Sequence, residues 1–416
     1  MTATPTPRIL IVATVDTKSD EVAFMADQVA AAGGKPVLMD VGVLGTGRIK
    51  ADISNVEVAQ AAGQTLQAVM NSGDENSAMA WMAQGASALA SQAHAQGRID
   101  GLLCLGGTMG TDLSLDVASS LPLGVPKVVL STVSFSPLLP PERIPPDLIM
   151  VLWAGGLYGL NSLCRSALAQ AAGAVVGACR VAHAPQFDRP VIGMTSLGSS
   201  ALKYMVHLKP ELERRGFELA VFHTTGMGGR AFESLAAQGQ FACVMDFSLQ
   251  ELVNHMAGSV VSAGPNRLLG AAHAGVPLIV APGATDMVDY PAWGEQPAQF
   301  AGQPAHEHNR LIASVVIDPA MRQSVAREIA HRLRQAKGPA HLLVPLAGIE
   351  EWDRPGAPLH DAQGLKALCD TLLESDCQPA QVQAVDAHIN DPDFAKAALA
   401  VLDDWCERGW VSKGRA

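Results

Sequence analysis

Residues 100–120, DGLLCLGGTMGTDLSLDVASS, contain the pattern that decides the expected fold. Asp100–Leu105 is a short apolar run without alternation, which is typical of a parallel strand covered on both faces. Three glycines follow within Gly106–Thr111, and a helical pattern begins near Asp112–Ser120. Val125–Ser131 then supplies another apolar run. A strand, a short loop, a helix and a second strand form the repeating unit of a parallel sheet.

The same unit recurs on both sides of this stretch. Ile9–Val15 and Pro36–Val41 are strand candidates that precede it. After a linker-like segment the pattern restarts, with strand candidates at Val191–Thr195, Leu219–His223, Ala242–Phe247, Pro277–Ala281 and His341–Pro345. We therefore predict an α/β protein with two doubly wound Rossmann-like domains and mainly parallel sheets. The N-terminal domain is expected over residues 1–183 and the C-terminal domain over residues 191–416.

The composition excludes several classes of protein. Apolar residues make up 48% of the 416 residues, which is enough to build sizeable cores and excludes a disordered chain. The formal charge is −11 and no long basic run occurs, so we expect no nucleic-acid ligand. We also expect no membrane association, because no apolar run approaches the roughly 18 residues that span a bilayer. Seven cysteines without a Cys-x-x-Cys pair are typical of a cytoplasmic protein.

Two loops of the N-terminal domain carry anion-binding chemistry. Thr14–Lys18 places hydroxyls, a carboxylate and an ammonium group where a helix begins. The glycines of Gly106–Thr111 let the backbone approach a ligand, and amides at a helix N-terminus favour phosphate. The alternative for Thr14–Lys18 is a capped helix start with a solvated lysine. For the glycine loop, the alternative is a tight strand–helix turn that needs glycine for packing.

Four loops of the C-terminal domain are expected to meet at one edge of its sheet, because ligands bind at the carboxyl ends of parallel strands. His223–Arg230 brings glycines, hydroxyls, a histidine and an arginine together, so it is a second candidate for phosphate or carboxylate. The alternative for it is a structural turn. The other three loops are Asp246–Ser248, Ser262–Arg267 and Pro282–Tyr290.

His306, Glu307, His308 and Arg310 form the densest titratable group in the sequence. His-x-His with a nearby aspartate, Asp286 or Asp289, is a candidate metal site. Only a strand places both histidines on one face, and this stretch is typical of a loop or a helix start. We therefore predict no metal and favour a polar cluster that faces substrate.

Ten stretches in order along the chain together carry a resemblance. They are Val12–Lys18, Asp40–Leu44, Ile49–Ser54, Gly106–Thr111, Pro122–Thr132, Gly159–Asn161, Phe222–Arg230, Ala263–Arg267, Ala281–Asp289 and His388–Ala395. In these stretches the chain resembles the ATP-binding family named after the plant tobamovirus-resistance protein. The family usually reads Gly-Gly-Ser-Gly-Gly-Thr at 106–111, so Thr108 and Met109 are departures here.

The resemblance implies a two-domain α/β protein that binds ATP, with magnesium carried by the nucleotide, through its first domain. It also implies a TIM-barrel partner protein for some members. Together with the two loops, it indicates a nucleotide site formed by Asp16, Thr17, Lys18, Gly106, Gly107, Thr108, Gly110, Thr111, Ser131 and Thr132.

Three functions are compatible with these patterns. The first is an ATP-dependent enzyme of small-molecule metabolism that uses the cleft between the domains, with an anionic substrate against Arg230, Arg267 and His308. The second is an acid–base enzyme without ATP that acts on a carboxylate or acyl substrate through His223, Asp246, Asp286 and His308. The third is a protein that senses a nucleotide or binds a partner. We expect a homodimer or larger assembly in each case.

Overall fold

The computed structural model describes residues 5–45, 47–183, 185–198, 201–357 and 359–412. The chain divides into two compact units, Met1–Gln186 and Phe187–Ala416, and each is described by itself. Within the described residues, no helix is long and apolar enough to cross a membrane.

The N-terminal unit is built on one parallel sheet. Its strands are β1 (Arg8–Ala13), β2 (Lys35–Asp40), β3 (Gly101–Gly106), β4 (Lys127–Ser131) and β5 (Leu148–Leu152). They lie in the order β2-β1-β3-β4-β5, and every neighbouring pair is parallel. This order reverses direction between β1 and β3, which makes that position the topological switch point of the sheet.

Helices cover both faces of this sheet. They are α1 (Val15–Ala31), α2 (Asn55–Ala61), α3 (Leu66–Met70), α4 (Glu75–Ala95), α5 (Thr108–Ser119) and α6 (Ser162–Val181), with a 3-10 turn at Pro141–Arg143. Ile9 and Ile11 pack toward α1 and α6, whereas Leu10 and Val12 pack toward α2, α4 and α5. Alternate residues of one strand therefore enter two different cores, which explains why its sequence is apolar without alternation.

In the described part of the C-terminal unit there are nine strands. They are β6 (Val191–Ser196), β7 (Glu218–His223), β8 (Cys243–Asp246), β9 (Leu278–Val280), β10 (Met287–Pro291), β11 (Ala305–Glu307), β12 (Ile312–Val316), β13 (Ala340–Pro345) and β14 (Gln381–Val385). Six of them form a parallel sheet in the order β14-β13-β9-β8-β6-β7. The remaining three form a small antiparallel sheet in the order β10-β12-β11.

Helices connect most of the successive strands of the parallel sheet in this unit. They are α7 (Tyr204–Arg214), α8 (Met227–Ala237), α9 (Gln250–Met256), α10 (Gly270–Ala274), α11 (Pro319–Leu333), α12 (Ala362–Glu374) and α13 (Pro392–Glu407), with 3-10 turns at Ala298–Phe300 and Glu351–Asp353. Tyr204 and Leu208 of α7 share one core with Phe394 and Leu402 of α13.

The predicted α/β architecture with two doubly wound, mainly parallel sheets is confirmed. The expectation for residues 305–308 is wrong, because Ala305–Glu307 is an antiparallel strand and neither a loop nor a helix start. That strand is only three residues long and exposed, so it has no apolar pattern that a sequence could show. Helix α5 also begins earlier than expected, at Thr108, so most of the glycine loop lies in its first turn.

One close helix contact gives a test of the packing in the N-terminal unit. A Cβ atom on Gly85 of α4 would lie 1.9 Å from the carbonyl oxygen of Val58 in α2. We expect Gly85→Ala to lower the free energy of unfolding by about 1–3 kcal/mol, because backbone must move to admit the methyl group. Gly173 of α6 meets nothing within 4 Å, so Gly173→Ala is expected to raise it by about 0.5–1 kcal/mol. Urea unfolding of both variants checks this, and equal effects would contradict the helix contact.

Candidate functional site

A pocket of about 440 Å³ opens at the switch point of the N-terminal sheet. This volume lies within the range of roughly 300–1,000 Å³ that small-molecule sites occupy. It is lined by Thr14, Asp16, Thr17, Lys18, Val43, Leu44, Glu75, Met79, Gly106, Gly107, Thr108, Met109 and Gly110. The structure therefore brings together the two loops that the sequence singled out in this unit.

The start of α5 supplies hydrogen-bond donors to this pocket. Gly107 is the N-cap residue and has no side chain to cap the helix. The first intrahelical bond runs from the Thr111 amide to the Gly107 carbonyl at 2.8 Å. Within the described chain, the amides of Thr108, Met109 and Gly110 donate to no acceptor. The positive end of the helix dipole and three open N–H groups thus face the pocket.

The start of α1 supplies the charged groups. Asp16 accepts a 2.7 Å hydrogen bond at Oδ2 from the Leu44 amide, while its Oδ1 is buried without a partner. Lys18 interrupts the helical geometry with φ −128° and ψ 22°. Among the described residues, its ammonium group has no carboxylate partner. Thr17 is exposed and shares a 2.9 Å hydroxyl contact with Thr14.

Three of the predicted nucleotide residues lie beneath the glycine loop. Thr111 and Ser131 are fully buried, and their hydroxyl oxygens are 2.7 Å apart. Ser131 also accepts a 3.0 Å hydrogen bond from the Val133 amide. These two side chains therefore hold the loop against β4 and do not line the pocket. Thr132 is half-buried, and its hydroxyl lies 3.8 Å from where a Cβ on Gly107 would stand.

Sequence reasoning gave no role to Asp40, although Asp40–Leu44 was among the matching stretches. Its Oδ1 accepts hydrogen bonds from the amides of Val15 at 3.0 Å and Gly42 at 2.8 Å. Burial raises the pKa of this carboxyl above its ordinary value, and the two amides oppose that shift. A Cβ on Gly42 would meet the Asp16 carboxylate at 2.5 Å. Asp40 therefore positions the start of α1, and Gly42 leaves room for Asp16.

In the C-terminal unit, the glycine-rich loop after β7 already holds an anion. The carboxylate of Glu251 accepts hydrogen bonds from the amides of Gly226 at 2.6 Å and Gly229 at 3.1 Å. A Cβ on Gly229 would lie 1.6 Å from Oε2 of Glu251. Burial raises the pKa of this carboxyl to about 7. The expectation of a phosphate or carboxylate ligand at this loop is corrected, because the protein's own glutamate takes that place and Arg230 is buried.

The roles expected for Arg267 and Asp246 are corrected as well. Arg267 is fully buried, and its guanidinium donates to both carboxylate oxygens of Asp246 and to Glu233 and Glu251. Burial lowers the pKa of Arg267, but the carboxylates outweigh it and raise this pKa well above its ordinary value. Asp246 is also fully buried and accepts a 2.7 Å hydrogen bond from Thr195. Neither side chain is available to a substrate.

The predicted catalytic residues of this unit do not form one group. His223 is exposed at the end of β7 and accepts a 3.3 Å hydrogen bond from the Gly198 amide. Asp286 follows β9, which lies three strands away from β7 in the sheet. At a strand spacing of about 4.8 Å, these strand ends are roughly 14 Å apart. His308 follows β11 in the small antiparallel sheet.

Asp286 belongs instead to a buried acidic cluster that sequence reasoning missed. We define the carboxyl cluster as Asp286, Glu350 and Asp353, all of which are fully buried. Both oxygens of Asp286, Oε1 of Glu350 and Oδ1 of Asp353 have no hydrogen-bond partner. Arg322 is buried beside them, and its carboxylate partner is Asp361 at 3.4 Å. Burial, and then the charge of Asp286, raise the pKa of Glu350 to about 9 and that of Asp353 to about 7.

His388 joins two loops at this edge of the sheet. Its Nε2 donates a 2.8 Å hydrogen bond to the carbonyl of Glu350, and its Nδ1 accepts a 3.1 Å bond from the Asn390 amide. Burial lowers the pKa of the ring. Because both ring nitrogens bind backbone, His388 fixes the loop after β14 against the loop after β13.

His308 has a buried carboxylate behind it. Its Nε2 lies 2.7 Å from the hydroxyl of Ser314, which in turn donates to Asp289. Its ring packs on Trp352 with a centroid separation of 4.7 Å. Burial, and then the neighbouring His306, lower the pKa of His308 to about 4, so this ring is neutral at pH 7. Within the described residues, no group of three or more His, Cys, Asp or Glu side chains is arranged to hold a metal.

Comparison with known proteins matches each unit to a domain model of the same family. Residues 7–184 match the Uncharacterised protein family (UPF0261) N-terminal domain, and residues 189–406 match its C-terminal domain. A UPF0261 protein of Brucella suis is 54% identical over 100% of this chain and 99% of its own length. A UPF0261 protein of Clostridium tetani is 32% identical over 96% of this chain and 99% of its own length.

A plant protein and a solved structure are more distant. The ToMV resistance protein Tm-1(GCR237) of Solanum lycopersicum is 27% identical over 94% of this chain, which matches 55% of that protein. The crystal structure of Acinetobacter baumannii MurG is similar over 96% of this chain and 90% of the MurG chain. The sequence identity is 11% and the TM-score is 0.22. A likeness at that level says nothing about function.

The carboxyl cluster predicts how stability depends on pH. The pKa of Glu350 is about 9 in the folded chain against an ordinary value of 4.5, so above pH 4.5 the unfolded chain loses a proton that the folded chain keeps. Stability is therefore present at low pH and lost as the pH rises toward 9. We expect the apparent melting temperature of the C-terminal unit to fall between pH 5 and 9, and Glu350→Gln to flatten that fall.

Glu351 is the matched control for this experiment. It is the next residue, but although burial raises its pKa, the ion pairs with Lys203 and Arg354 outweigh burial and lower this pKa below its ordinary value. Glu351→Gln should keep the wild-type pH profile. Hydrogen exchange followed on peptides from residues 187–412 would locate the effect. Parallel profiles for wild type and Glu350→Gln would contradict a protonated Glu350.

Proposed function

The chain belongs to the UPF0261 family, and we propose that its N-terminal unit binds ATP at the pocket between the ends of β1 and β3. One observation carries this proposal. The open amides of α5 and the unpaired ammonium of Lys18 line the same pocket at the switch point of the sheet. This is the position at which doubly wound sheets bind nucleotides.

The phosphates would lie on the first turn of α5. Amides of Thr108, Met109 and Gly110 supply donors that no protein acceptor in the described chain occupies. Lys18 supplies the positive charge that a polyphosphate requires. Gly107 leaves the space in front of these amides open. A Cβ on Gly107 would contact only Thr132 and would point toward the proposed phosphate position. The N-terminal glycine loop thus differs from the loop after β7, which Glu251 fills.

Asp16 fits the magnesium that accompanies ATP. Its Oδ1 is buried and unpartnered at the pocket wall, and an unpaired buried carboxylate oxygen is costly. Mg²⁺ prefers carboxylate and phosphate oxygens and keeps several waters. Asp16 would hold the ion beside the phosphates, where the ion would neutralise part of their negative charge.

The remaining wall suits a nucleoside. Val43, Leu44, Met79 and Met109 give it an apolar surface, and Glu75 adds one exposed carboxylate. An apolar wall with few polar groups is the usual lining for a flat base. Met109, which departs from the family pattern, is 40% exposed and therefore contributes contact area without blocking the helix amides.

We infer that the bound ATP serves an enzyme of small-molecule metabolism with an anionic second substrate. The support is chemical: an open pocket with a lysine and a magnesium ligand is equipped for phosphoryl transfer. The anionic substrate cannot bind to Arg267, because its buried guanidinium already donates hydrogen bonds to three carboxylates. The alternative function is nucleotide-dependent binding of a partner protein. It is kept because one relative is named a virus-resistance protein.

Thermal unfolding with and without ATP·Mg²⁺ tests the site. Ligand at a hundredfold excess over Kd stabilises the native state by about 2.7 kcal/mol. We expect Lys18→Gln to weaken binding by about tenfold or more, because a charge-assisted hydrogen bond contributes about 1.5–3 kcal/mol. Lys35→Gln is the control, because Lys35 is exposed at the opposite end of the same sheet.

Two outcomes would decide the proposal. No stabilisation of the wild type by ATP·Mg²⁺, or equal loss in Lys18→Gln and Lys35→Gln, would reject the site. Gly107→Asp adds a carboxylate beside the phosphates and should abolish binding while the unliganded chain keeps its fold. Binding without ADP formation, measured with candidate anionic substrates, would favour partner binding over catalysis.

A further inference from the structure

A pair of histidines in the C-terminal unit lies outside the proposed nucleotide site. His306 belongs to β11 and His308 follows two residues later, so their side chains leave the same face of the strand. Glu307 alternates to the other face. The two imidazole rings have centroids 4.9 Å apart and meet at 77°. The ring of Trp352 packs against both of them, at 4.8 Å and 4.7 Å.

The protein fixes which nitrogen of His308 carries the proton. Asp289 is buried, and its Oδ2 accepts a 3.0 Å hydrogen bond from Asn254, while its Oδ1 accepts the Ser314 hydroxyl proton. Ser314 has one proton, so towards His308 it is an acceptor. Nε2 of His308 therefore bears hydrogen, and Nδ1 keeps its lone pair. Nδ1 has no partner in the described chain, and the ring is partly exposed.

This arrangement matches the surroundings of a metal-binding histidine. Such a histidine donates its other ring N–H to a carboxylate, a backbone carbonyl or a water, which fixes its tautomer and orientation. Here Ser314 and Asp289 do this for His308. The strand register of the small sheet brings these residues side by side, because Ser314 pairs with Asp289 on one neighbouring strand and with His306 on the other.

The distance between the imidazole rings of His306 and His308 is also compatible with a shared metal ion. Two imidazoles that share a tetrahedral metal through bonds of about 2.0–2.1 Å have ring centres about 5 Å apart. The observed 4.9 Å agrees with that geometry. An aromatic contact with Trp352 alone would not need a buried carboxylate behind one ring nitrogen.

We propose that His306 and His308 bind one borderline divalent metal ion such as Zn²⁺, through Nδ1 of His308 and a ring nitrogen of His306. No third protein ligand completes the site in the described chain, because Asp289 lies behind Ser314 and Asp286 belongs to the carboxyl cluster. Water or an oxygen of a bound anion takes the other positions. Catalytic zinc sites keep an open position beside their protein ligands, and an ion held by these two histidines would be able to polarise a carboxylate or carbonyl oxygen.

Calorimetric titration of the full chain with Zn²⁺ alone, in a buffer that does not chelate metal, tests this site. We expect one equivalent to bind. His306→Gln and His308→Gln should each weaken binding by tenfold or more, because each removes one of the two protein ligands. His183→Gln is the control, because His183 is exposed elsewhere in the chain. It should bind as the wild type does.

Variants of Ser314 and Asp289, which orient His308, distinguish a specific metal site from adventitious binding of Zn²⁺ to surface histidines. Ser314→Ala and Asp289→Asn should weaken Zn²⁺ affinity by about tenfold to a hundredfold, which is the usual effect of losing such a partner. Circular dichroism of each variant confirms that it is folded, and Ser314→Ala stands alone if Asp289→Asn unfolds. The proposal is overturned if wild type binds no Zn²⁺, if the His306 or His308 variants bind normally, or if folded Ser314→Ala keeps full affinity.

Discussion

Burial of parallel strands on both faces is the constraint on which the rest of this structure depends. A strand such as β1 sends alternate residues into two cores, so its neighbours must be parallel and its connections must be helices. Every strand then ends at the same edge of its sheet, and the loops that follow are gathered there. The glycine loops after β3 and β7, the carboxyl cluster and His388 all lie at such strand ends as a result.

The two glycine-rich loops show how similar local sequences acquire different roles. Both open a helix with glycines that let the backbone turn tightly, and in both the amides at the helix start have no partner within their own helix. After β7 the partner is Glu251 on α9, which Arg267 holds in place. After β3 no carboxylate of the described chain reaches the amides of α5, and Lys18 lies nearby. The difference is made by residues distant in sequence from each loop, so the loop alone could not reveal it.

The same reasoning explains how far the sequence could be interpreted. Apolar runs and glycine turns are local, and they were sufficient for the fold and for the association of Asp16–Lys18 with Gly106–Gly110. Arg267 was predicted to bind an anionic substrate because it lies in one of the four loops expected to meet at the edge of the C-terminal sheet. Its three carboxylate partners come from other elements and became visible only in the structure. Strand β11 was missed because its three residues are exposed and owe their conformation to pairing with β12.

The two groups of buried carboxyls in the C-terminal unit differ in how completely they are hydrogen-bonded. Around Arg267 the guanidinium donates to three carboxyl groups and to the Ser248 carbonyl, so direct hydrogen bonds offset part of the desolvation cost. Burial still raises the pKa of two of these carboxyl groups, Glu233 and Glu251. Around Arg322 the carboxylate oxygens of Asp286, Glu350 and Asp353 remain partly unpartnered. Burial raises the pKa of all three carboxyl groups there, and that of Glu350, at about 9, lies above the value of about 7 for Glu251 beside Arg267. Protonation of this cluster makes the stability of the loops after β9 and β13 depend on pH, whereas Arg267 links β8 to α8 through Asp246 and Glu233.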